Sequence, residues 1–312
     1  MSDEPSIELT HPSGGREAKE RVYRWLLFGC AALTVGVTFS ILATLAWDTV
    51  TFFGFEEVDI FGFLTGMEWN SRRGEFGVVP LVSATLTVTV VSALVAIPIG
   101  TAAAIYLSEY ASPEMRSVLK PALEILAGIP TVVYGYLALI YLTPMLRDVG
   151  VPLRSLNLLS ASVMVGIMII PMVSSLSEDA MNAVPDELRQ AGYGLGATKF
   201  EVSTGIVVPA AVSGIFSSYI LALSRAIGET MIVVMAGGMQ ARLLDPTNPF
   251  ETLASSGQTM TAAMVHAVTS DATGGSAEYY SMFAIGLTLF AMTFAMNLLS
   301  NLVAARYEEQ YR

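Results

Sequence analysis

The sequence predicts an all-α polytopic membrane protein with six transmembrane helices. Of its 312 residues, 53% are hydrophobic and only 14% are charged, an apolar share above that of a soluble domain. Mostly apolar stretches of about 20 or more residues, the length that crosses roughly 30 Å of hydrocarbon, recur along the whole chain. We place them near residues 22–46, 80–107, 118–145, 157–177, 210–237 and 281–304.

The first transmembrane helix is predicted over residues 21–46, after a cytoplasmic tail. We expect this tail, residues 1–20, to be disordered, because it is polar and contains two prolines and two glycines. Basic residues before the apolar run and small residues at its end leave a signal peptide as an alternative. The apolar run is too long for the core of a signal peptide, so we predict a retained helix.

The remaining segments define a topology with both termini in the cytoplasm of a cell-membrane protein. We predict an external loop over residues 47–79, a membrane core over 80–305 with a cytoplasmic loop (184–209) and an external loop (238–280), and a cytoplasmic tail over 306–312. Basic residues near the spans are retained inside. The inner set is Arg16, Lys19, Arg21, Arg24, Arg116, Lys120, Arg189, Lys199, Arg306 and Arg312, and the outer set is Arg72, Arg73, Arg147, Arg154 and Arg242.

Charge and motif content argue against several classes of function. A formal net charge of −11 argues against a nucleic-acid partner. The chain has no P-loop motif, so any ATP hydrolysis must occur on a partner, and it has no Gly-x-Ser-x-Gly or His-Glu-x-x-His motif. Its histidines, His11 and His266, and its single cysteine, Cys30, offer no credible metal site or disulfide. We therefore expect a protein that is not an enzyme and carries no cofactor or metal.

Prolines occur within the second, third and fourth predicted spans, at Pro98, Pro130 and Pro171. A membrane proline frees a carbonyl group that needs another partner, so such kinks occur where protein or a wet cavity surrounds them. Two interpretations stay open: a kinked packing helix, or the wall of a gate or pathway. Thr131 and Tyr134, next to Pro130, are candidates for a substrate pathway.

The fifth predicted span carries two charges and a stripe of small residues. Gly214, Ser218, Ala222 and Ala226 recur at every fourth position, a pattern that lets another helix approach closely and that suggests contact with a second copy or a paralogue. Arg225 and Glu229 lie on the neighbouring stripe. An uncompensated charge at this depth costs several kcal/mol, so such residues mark a pair or a pathway. One alternative is a self-neutralising i, i+4 pair. The other is that Arg225 contacts an anion transiently, and that Glu229 holds the Arg225 side chain when the site is empty.

The cytoplasmic loop 184–209 is predicted to form a helix, a turn and a second helix. Pro185 is suited to a first helical turn, and the acidic residues Asp186 and Glu187 follow it. A break over residues 192–196 contains glycine, and a second helical stretch runs to Pro209. A helical pair on the inner membrane face is suited to docking a soluble partner.

This loop resembles the EAA loop of ABC-importer permeases, whose pattern is Glu-Ala-Ala, three residues, Gly, nine residues and Ile-x-Leu-Pro. The matching positions are Gln190, Ala191, Gly192, Gly196, Ile206, Val208 and Pro209. The departures are Gln for Glu, Gly for the third Ala, and Val for Leu, and they weaken a charge-based contact with the partner. The resemblance implies a type I ABC-importer permease fold. It also implies that the loop, with Asp186 at its start, inserts into a cytoplasmic ATPase subunit.

Other stretches resemble the phosphate-specific (Pst) permeases, particularly those of the PstC type. They are "FGVVPLVSATL" (76–86), "IPIGTAAAIYLSEYASPEMR" (97–116), "KPALEILAGIPTVVYG" (120–135) and "SRAIGETM" (224–231). The resemblance covers roughly residues 60–304. It implies a permease subunit of an ATP-driven phosphate importer, with Arg225 and Glu229 on the path of phosphate. The implied partners are a second, PstA-like permease, a PstB-like ATPase dimer, an external PstS-like phosphate-binding protein and membrane lipid.

Two other functions stay open on the residues alone. One is an ABC permease for another oxyanion, such as molybdate or sulfate, because a fold does not determine a substrate. The other is a proton-coupled secondary carrier, in which Glu124 and Glu229 would titrate during transport. Competition among oxyanions in uptake tests the first, and dependence on a copurifying ATPase tests the second.

Overall fold

The computed structural model describes residues 14–243, 245, 247–270 and 274–308, and this part of the chain is almost wholly helical. Residues 1–13 and 309–312 of the two predicted tails lie outside it. Residues 14–20, which we expected to be disordered, already belong to the first helix. The correction has a local cause, because the run Arg-Glu-Ala-Lys-Glu-Arg at 16–21 consists of strong helix formers.

The helices and strands follow one another in a simple order. Before the central helix they are α1 (Gly14–Phe52), α2 (Ile60–Thr65), β1 (Trp69–Asn70), β2 (Glu75–Phe76), α3 (Val79–Ile105), α4 (Pro113–Gly128), α5 (Thr131–Leu137) and α6 (Thr143–Asp148). From the central helix onward they are α7 (Leu158–Asn182), α8 (Asp186–Gly194), α9 (Lys199–Val202), α10 (Val208–Ala210), α11 (Val212–Ile227), α12 (Pro249–Ala254), α13 (Met260–Thr269) and α14 (Ala277–Glu308). β1 and β2 form an antiparallel hairpin.

Six membrane crossings arise from four continuous helices and two broken ones. α1, α3, α7 and α14 are each long and apolar enough to span a bilayer. The third span consists of residues 113–128 and 131–148, bent by 89°. The fifth consists of α11 and, after a break at residues 228–230, of the helical turn at residues 231–237. α11 is bent by 69° from the preceding residues 199–210, nearly all of which belong to the 184–209 segment at one end of the bundle. This architecture confirms the predicted all-α polytopic fold, but spans three and five are not the continuous helices 118–145 and 210–237 that we expected.

The break in the third span follows from Pro130. A residue that precedes proline is disfavoured in the helical region, and Ile129 is extended, with φ −65° and ψ 128°. Pro98 and Pro171, in contrast, lie inside the intact helices α3 and α7. Of the three prolines, Pro130 therefore marks a complete interruption of a span, and the other two are accommodated within packed helices.

α7 lies at the centre of the bundle and packs closely against α3. A Cβ atom at Gly100 of α3 would lie 2.7 Å from the Val173 side chain, and one at Gly166 of α7 would lie 2.8 Å from Val95 Cβ. Ser92 Oγ donates a hydrogen bond across the contact to Ser162 O at 2.8 Å. Small residues thus bring the two backbones together, as expected where lipid supplies little hydrophobic drive between helices.

The small-residue stripe of α11 is also buried, and it contacts α7 of the same chain. Ser218 Oγ and Ser177 Oγ share a hydrogen bond of 2.7 Å, and a Cβ atom at Gly214 would collide with Ala180. Ala222 and Ala226 are buried along the same line. The predicted close helix contact is therefore confirmed, but our inference that it indicates a second copy or paralogue is wrong, because α7 already occupies the seam.

The bundle has two chemically different ends. One end carries the 184–209 segment, and we call it the coupling end. At the opposite end, Asn157 N donates to Ala236 O at 2.8 Å and Gly257 N donates to Gly237 O at 3.0 Å. The first bond joins the start of α7 to the helical turn at residues 231–237, and the second joins the loop before α13 to the same turn. The β-hairpin, α12 and α13 lie at this opposite end.

Candidate translocation and coupling sites

Arg225 and Glu229 belong to different helical segments. α11 ends at Ile227 and Gly228 caps it, after which residues 229–230 leave the helix and residues 231–237 are helical again. The i, i+4 geometry expected for a pair on one continuous helix is therefore absent. No ion pair within 4.0 Å joins these two described residues. The contact between Arg225 and Glu229 that both alternatives assumed is therefore absent in this state, and an anion contact by Arg225 remains a prediction.

The carboxylate of Glu229 instead caps the helical segment that follows it. The residue is 7% exposed, and its Oε1 accepts hydrogen bonds from Met231 N at 3.0 Å and Ile232 N at 3.2 Å. Its main-chain carbonyl accepts a bond from Thr261 Oγ1 of α13 at 2.9 Å. Glu229 thus satisfies main-chain donors that the break in the span would otherwise leave unpaired.

Arg225 lies on the exposed side of α11. Ser217, Leu221 and Arg225 form a stripe at i, i+4 spacing beside the face that contacts α7, and all three are exposed in the single chain. Among the described residues, the guanidinium has no hydrogen-bond or ion-pair partner. Arg225 follows the start of α11 by 13 residues, about 20 Å along the helix. A free cation at that depth needs a partner outside this chain or a wet pathway.

Thr131 and Tyr134 lie on the outer half of the broken third span, which contacts the segment after Glu229. Thr131 begins α5. Tyr134 is 2% exposed, and its hydroxyl donates to Leu126 O of α4 at 2.6 Å. One residue on, a Cβ atom at Gly135 would lie 3.2 Å from Ile232 Cα. The structure therefore brings the two broken spans into contact. The Tyr134 side chain joins α5 to α4, the two halves of the third span.

The 184–209 segment forms the predicted helix, turn and helix. α8 ends in a Schellman motif, since Gly196 N donates to Tyr193 O at 3.0 Å and Ala197 N to Gly192 O at 3.2 Å. Gly196 has a φ of +84°, a conformation that side chains other than glycine rarely adopt. The glycine of the EAA-like pattern thus marks a backbone turn, which is a local reason for its position.

The second helix of this segment begins with a capping box. Glu201 N donates to Thr198 Oγ1 at 3.3 Å, and Thr198 N donates to Glu201 Oε2 at 2.7 Å. These bonds from the Thr198 backbone and then its hydroxyl lower the pKa of the Glu201 carboxyl from its usual value. Both helices of the segment are therefore terminated by local, sequence-encoded interactions.

The predicted coupling residues divide into an exposed set and a packed set. A Cβ atom at Gly192 would lie 2.7 Å from Ile206 Cδ1, so α8 rests directly on the π-helical turn Ser203–Val207. Gly192 is buried and Ile206 and Pro209 are half-buried, whereas Asp186, Gln190, Ala191 and Gly196 are exposed. The segment also exposes large apolar side chains, namely Leu188, Tyr193, Leu195 and Phe200. An exposed apolar patch on a helical pair is typical of a protein-docking surface.

The sequence reasoning missed Arg189, which joins α8 to two transmembrane helices. Its guanidinium donates to Met181 O at 2.7 Å and to Val184 O at 2.6 Å, at the end of α7. It also pairs with Glu109, in the π-helical turn after α3, at 3.2 Å, and with Asp186 at 3.2 Å. Five donors in a planar fork allow one arginine to make these contacts together.

A second missed group lies nearby at the coupling end. Glu178 of α7 is 2% exposed and pairs with Lys120 Nζ of α4 at 2.9 Å. Asn182 Nδ2 donates to the same oxygen at 3.3 Å, and Ser108 Oγ donates to Asn182 Oδ1 at 3.2 Å. Polar contacts therefore run from α4 through α7 to the end of α3. Partners so far apart along the chain leave no periodic signal by which sequence could reveal them.

The described residues contain no group of three or more His, Cys, Asp or Glu side chains that could hold a metal ion. The candidate sites are a cation on an exposed stripe of α11, without a partner among the described residues, and the 184–209 segment at one end of the bundle.

The chain belongs to the binding-protein-dependent transport system inner membrane component family, which it matches over residues 96–309. The fold, the two broken spans and the docking segment together describe a membrane permease of an ABC importer. The class follows from the family and the fold, before any substrate is considered.

Similar proteins of known sequence cover nearly the whole chain. It is 33% identical to "Probable ABC transporter permease protein YqgH" of Bacillus subtilis, across 96% of both chains. It is 31% identical to "Phosphate transport system permease protein PstC" of Mesorhizobium japonicum, across 87% of this chain and 83% of the relative. A protein with the same PstC description from Xylella fastidiosa is 30% identical across 95% of both chains.

Solved structures share the fold at low sequence identity. A bacterial ABC transporter involved in the import of the acidic polysaccharide alginate matches with a TM-score of 0.64 and 16% identity, across 93% of this chain and 99% of that chain. An inward-facing MetNI methionine ABC transporter matches with a TM-score of 0.55 and 18% identity, across 74% and 95%. At such identities the likeness concerns the fold alone.

Proposed function

We propose that this chain is the permease subunit of an ATP-driven importer of inorganic phosphate. The observation that carries the proposal is the exposed guanidinium of Arg225, without a partner among the described residues, on the open stripe of a broken span. The PstC relatives support phosphate as the substrate. A planar guanidinium matches the geometry of phosphate oxygens, and one such group holds an anion weakly enough to release it.

The partners follow from the two ends and the open stripe. A second, PstA-like permease covers the Ser217–Leu221–Arg225 stripe, so that the phosphate path runs between the two permeases. A PstB-like ATPase dimer docks on the exposed apolar side chains of the 184–209 segment, on the cytoplasmic side. A PstS-like binding protein docks on the opposite, external end. The chain is then a multi-pass plasma-membrane subunit with both termini in the cytoplasm.

In the proposed mechanism, ATP binding closes the ATPase dimer and moves the segment that contains α8 and α9. The packed residues Gly192 and Ile206 transmit this movement to the fifth span, and Arg189 transmits it to the second and fourth. The two permeases rock outward-open, and phosphate leaves its binding protein for the cavity beside Arg225. Glu229 keeps the interrupted span folded while Arg225 contacts the anion. Thr131, at the start of α5, lies next to the break in the third span.

The test is labelled-phosphate uptake at low micromolar concentration in a strain that lacks this chain. The strain is complemented with wild type, Arg225→Gln or Arg225→Lys, and copurification of the ATPase is checked for each. We expect Arg225→Gln to assemble and to lose uptake, and Arg225→Lys to retain only part of it, because lysine lacks the planar fork. Equal uptake by all three would remove Arg225 from the path. No restoration of phosphate uptake by wild type, with uptake of labelled molybdate or sulfate restored instead, would point to another oxyanion.

A further inference from the structure

A cavity of about 360 Å³ lies at the external end of the bundle, between the β-hairpin and the segment after the fifth span. Its lining residues include Trp69, Ser71, Arg72, Arg242, Gln258 and His266. In sequence, four of the six spans lie between the hairpin and the loop over residues 239–242. The fold therefore assembles this cavity from distant segments.

The lining of this cavity carries the positive charge that an anion site needs. None of the described residues that line it is acidic, while two of them are arginines and one is a histidine. Arg72 and Arg242 are exposed, and neither forms an ion pair with a described residue. One carboxylate reaches the wall, since Glu278 Oε1 accepts a hydrogen bond from Ser71 Oγ at 2.9 Å. Arg242 also lines a neighbouring cavity together with Asp245 and Glu251, yet it pairs with neither.

A buried side chain of the cavity wall has an unsatisfied donor. Gln258 is 3% exposed, and its Nε2 has no hydrogen-bond partner. An unpaired buried polar group is unfavourable, so such groups are normally satisfied by a ligand, an ion or ordered water. An oxyanion accepts hydrogen bonds from an amide donor and from guanidinium groups together.

The cavity lies directly outside the break in the fifth span. Gly257, the residue before Gln258, donates its amide to Gly237 O at 3.0 Å. Three residues after Gln258, Thr261 Oγ1 bonds to Glu229 O at 2.9 Å. The wall of the cavity is thus hydrogen-bonded at both ends of the 229–237 segment, and α11 with Arg225 ends just before that segment.

We propose that this cavity is an outer oxyanion site, which holds hydrogen phosphate after its release from the binding protein and before it reaches Arg225. Arg72, Arg242 and His266 supply positive charge or hydrogen-bond donors, and the Gln258 amide turns toward the bound anion. The proposal rests on phosphate import as the function of the chain. It gives a negatively charged substrate a cationic position at an end of the bundle that also carries acidic side chains, among them Glu56, Glu57 and Asp59.

The test uses the assembled transporter in proteoliposomes, without the binding protein. Cys30 is replaced by serine, and Met239→Cys places a reporter thiol on the cavity wall. Inorganic phosphate at several times its dissociation constant is expected to slow modification by an anionic methanethiosulfonate reagent about fivefold. Chloride at equal ionic strength controls for screening. Gln240→Cys, on the same wall, serves if the first variant does not assemble.

Matched variants and conditions give each outcome a meaning. Val149→Cys, an exposed position that does not line the cavity, is expected to show no protection by phosphate, and Arg72→Gln with Arg242→Gln is expected to remove protection at Met239→Cys. Equal slowing at both reporters, protection that survives the double substitution, or protection that needs the binding protein would each overturn the site. Normal phosphate uptake without protection overturns the outer site and leaves the proposed function standing. Protection by sulfate or molybdate alone, with no phosphate uptake, overturns phosphate as the substrate in both the proposed function and the outer site.

Discussion

Arg189 donates hydrogen bonds from Nη2 and Nε to the same oxygen of Glu109, at 3.2 and 3.4 Å, although the two residues lie 80 positions apart. Glu109 lies in the π-helical turn Tyr106–Tyr110 that ends the second span. The guanidinium also donates to Met181 O and Val184 O at the end of the fourth span. A displacement of α8 therefore acts on two transmembrane helices through one side chain.

Replacing Arg189 by lysine is expected to weaken coupling without preventing assembly. A single ammonium group cannot replace a planar fork that contacts Glu109, Met181 and Val184 together. We expect a loss of about 1 kcal/mol of coupling free energy, roughly a fivefold increase in the ATP hydrolysed per phosphate imported. The ratio is measured in proteoliposomes that contain the complete transporter. An unchanged ratio in an assembled Arg189→Lys complex would assign this residue a purely structural role.

The two carboxylates that pair with Arg189 provide a matched comparison of stability. The Glu109 side chain is 4% exposed, whereas that of Asp186 is 82% exposed. Glu109→Ala is expected to destabilise the protein by about 3 kcal/mol, because the mostly buried Arg189 loses its buried partner and keeps only the exposed carboxylate of Asp186. Asp186→Ala is expected to cost about 0.5 kcal/mol or less. Thermal unfolding of the two purified variants tests the difference, and equal melting temperatures would contradict it.

Glu229 is expected to tolerate glutamine better than leucine. An amide oxygen still accepts the hydrogen bonds from Met231 N and Ile232 N, so Glu229→Gln should assemble and transport at close to the wild-type rate. Glu229→Leu leaves buried main-chain donors unpaired, at a cost of about 1–3 kcal/mol. Uptake and thermal stability are measured for both variants. Loss of uptake by a stably assembled Glu229→Gln would show that the negative charge itself is required.

Two glycines of α8 and its turn are expected to respond to alanine in opposite directions. Gly196 has a positive φ and Gly194 does not, while both have open space around a substituted Cβ atom. Gly196→Ala is therefore expected to cost about 1–2 kcal/mol through the left-handed backbone alone. Gly194→Ala, at the end of the helix, is expected to be neutral or stabilising by about 0.5–1 kcal/mol. Copurification of the ATPase and the melting temperature are measured for both, and a shared direction of change would argue against the turn geometry.

The capping box of α9 is expected to persist until strongly acidic pH. Hydrogen bonds to Thr198 lower the pKa of Glu201 in the folded protein, from an unfolded value of about 4.3. The stabilisation is therefore complete above the unfolded pKa and is lost as the pH falls through the lower folded value. Hydrogen-exchange protection of the Thr198 amide, corrected for the intrinsic rate, should be constant from pH 7 to about 5.5. A fall in protection within that range, or an equal fall in Glu201→Gln at more acidic pH, would contradict the assignment.

The parts of the fold that sequence predicts well are those with local causes. Apolar runs gave six spans because crossing a bilayer needs a long apolar segment, and the ends of α8 and α9 follow from Gly196 and Thr198. The break at Pro130 also has a local cause, although a hydropathy window averages across it. The predicted pathway residues Arg225, Glu229, Thr131 and Tyr134 remain predictions, and the structure adds that Tyr134 points into the core.

What sequence could not supply are contacts between distant residues. The expected Arg225–Glu229 pair assumed a continuous helix, and Gly228 ends that helix one residue before Glu229. The partner of Glu178 is Lys120 on another span, which no spacing rule connects to it. The small-residue stripe was detected correctly, but periodicity does not say which helix will fill it.

α1 is longer than the membrane that it crosses. Its 39 residues extend for about 58 Å at 1.5 Å per residue, against a hydrocarbon thickness of about 30 Å. Residues 19–41 are exposed all round in the single chain, and burial begins at Leu42. Neighbouring helices of this chain thus leave its first half, which carries Lys19, Arg21 and Arg24, open to lipid or to a partner subunit. Bilayer thickness and the content of anionic lipid are therefore expected to set the tilt of this helix.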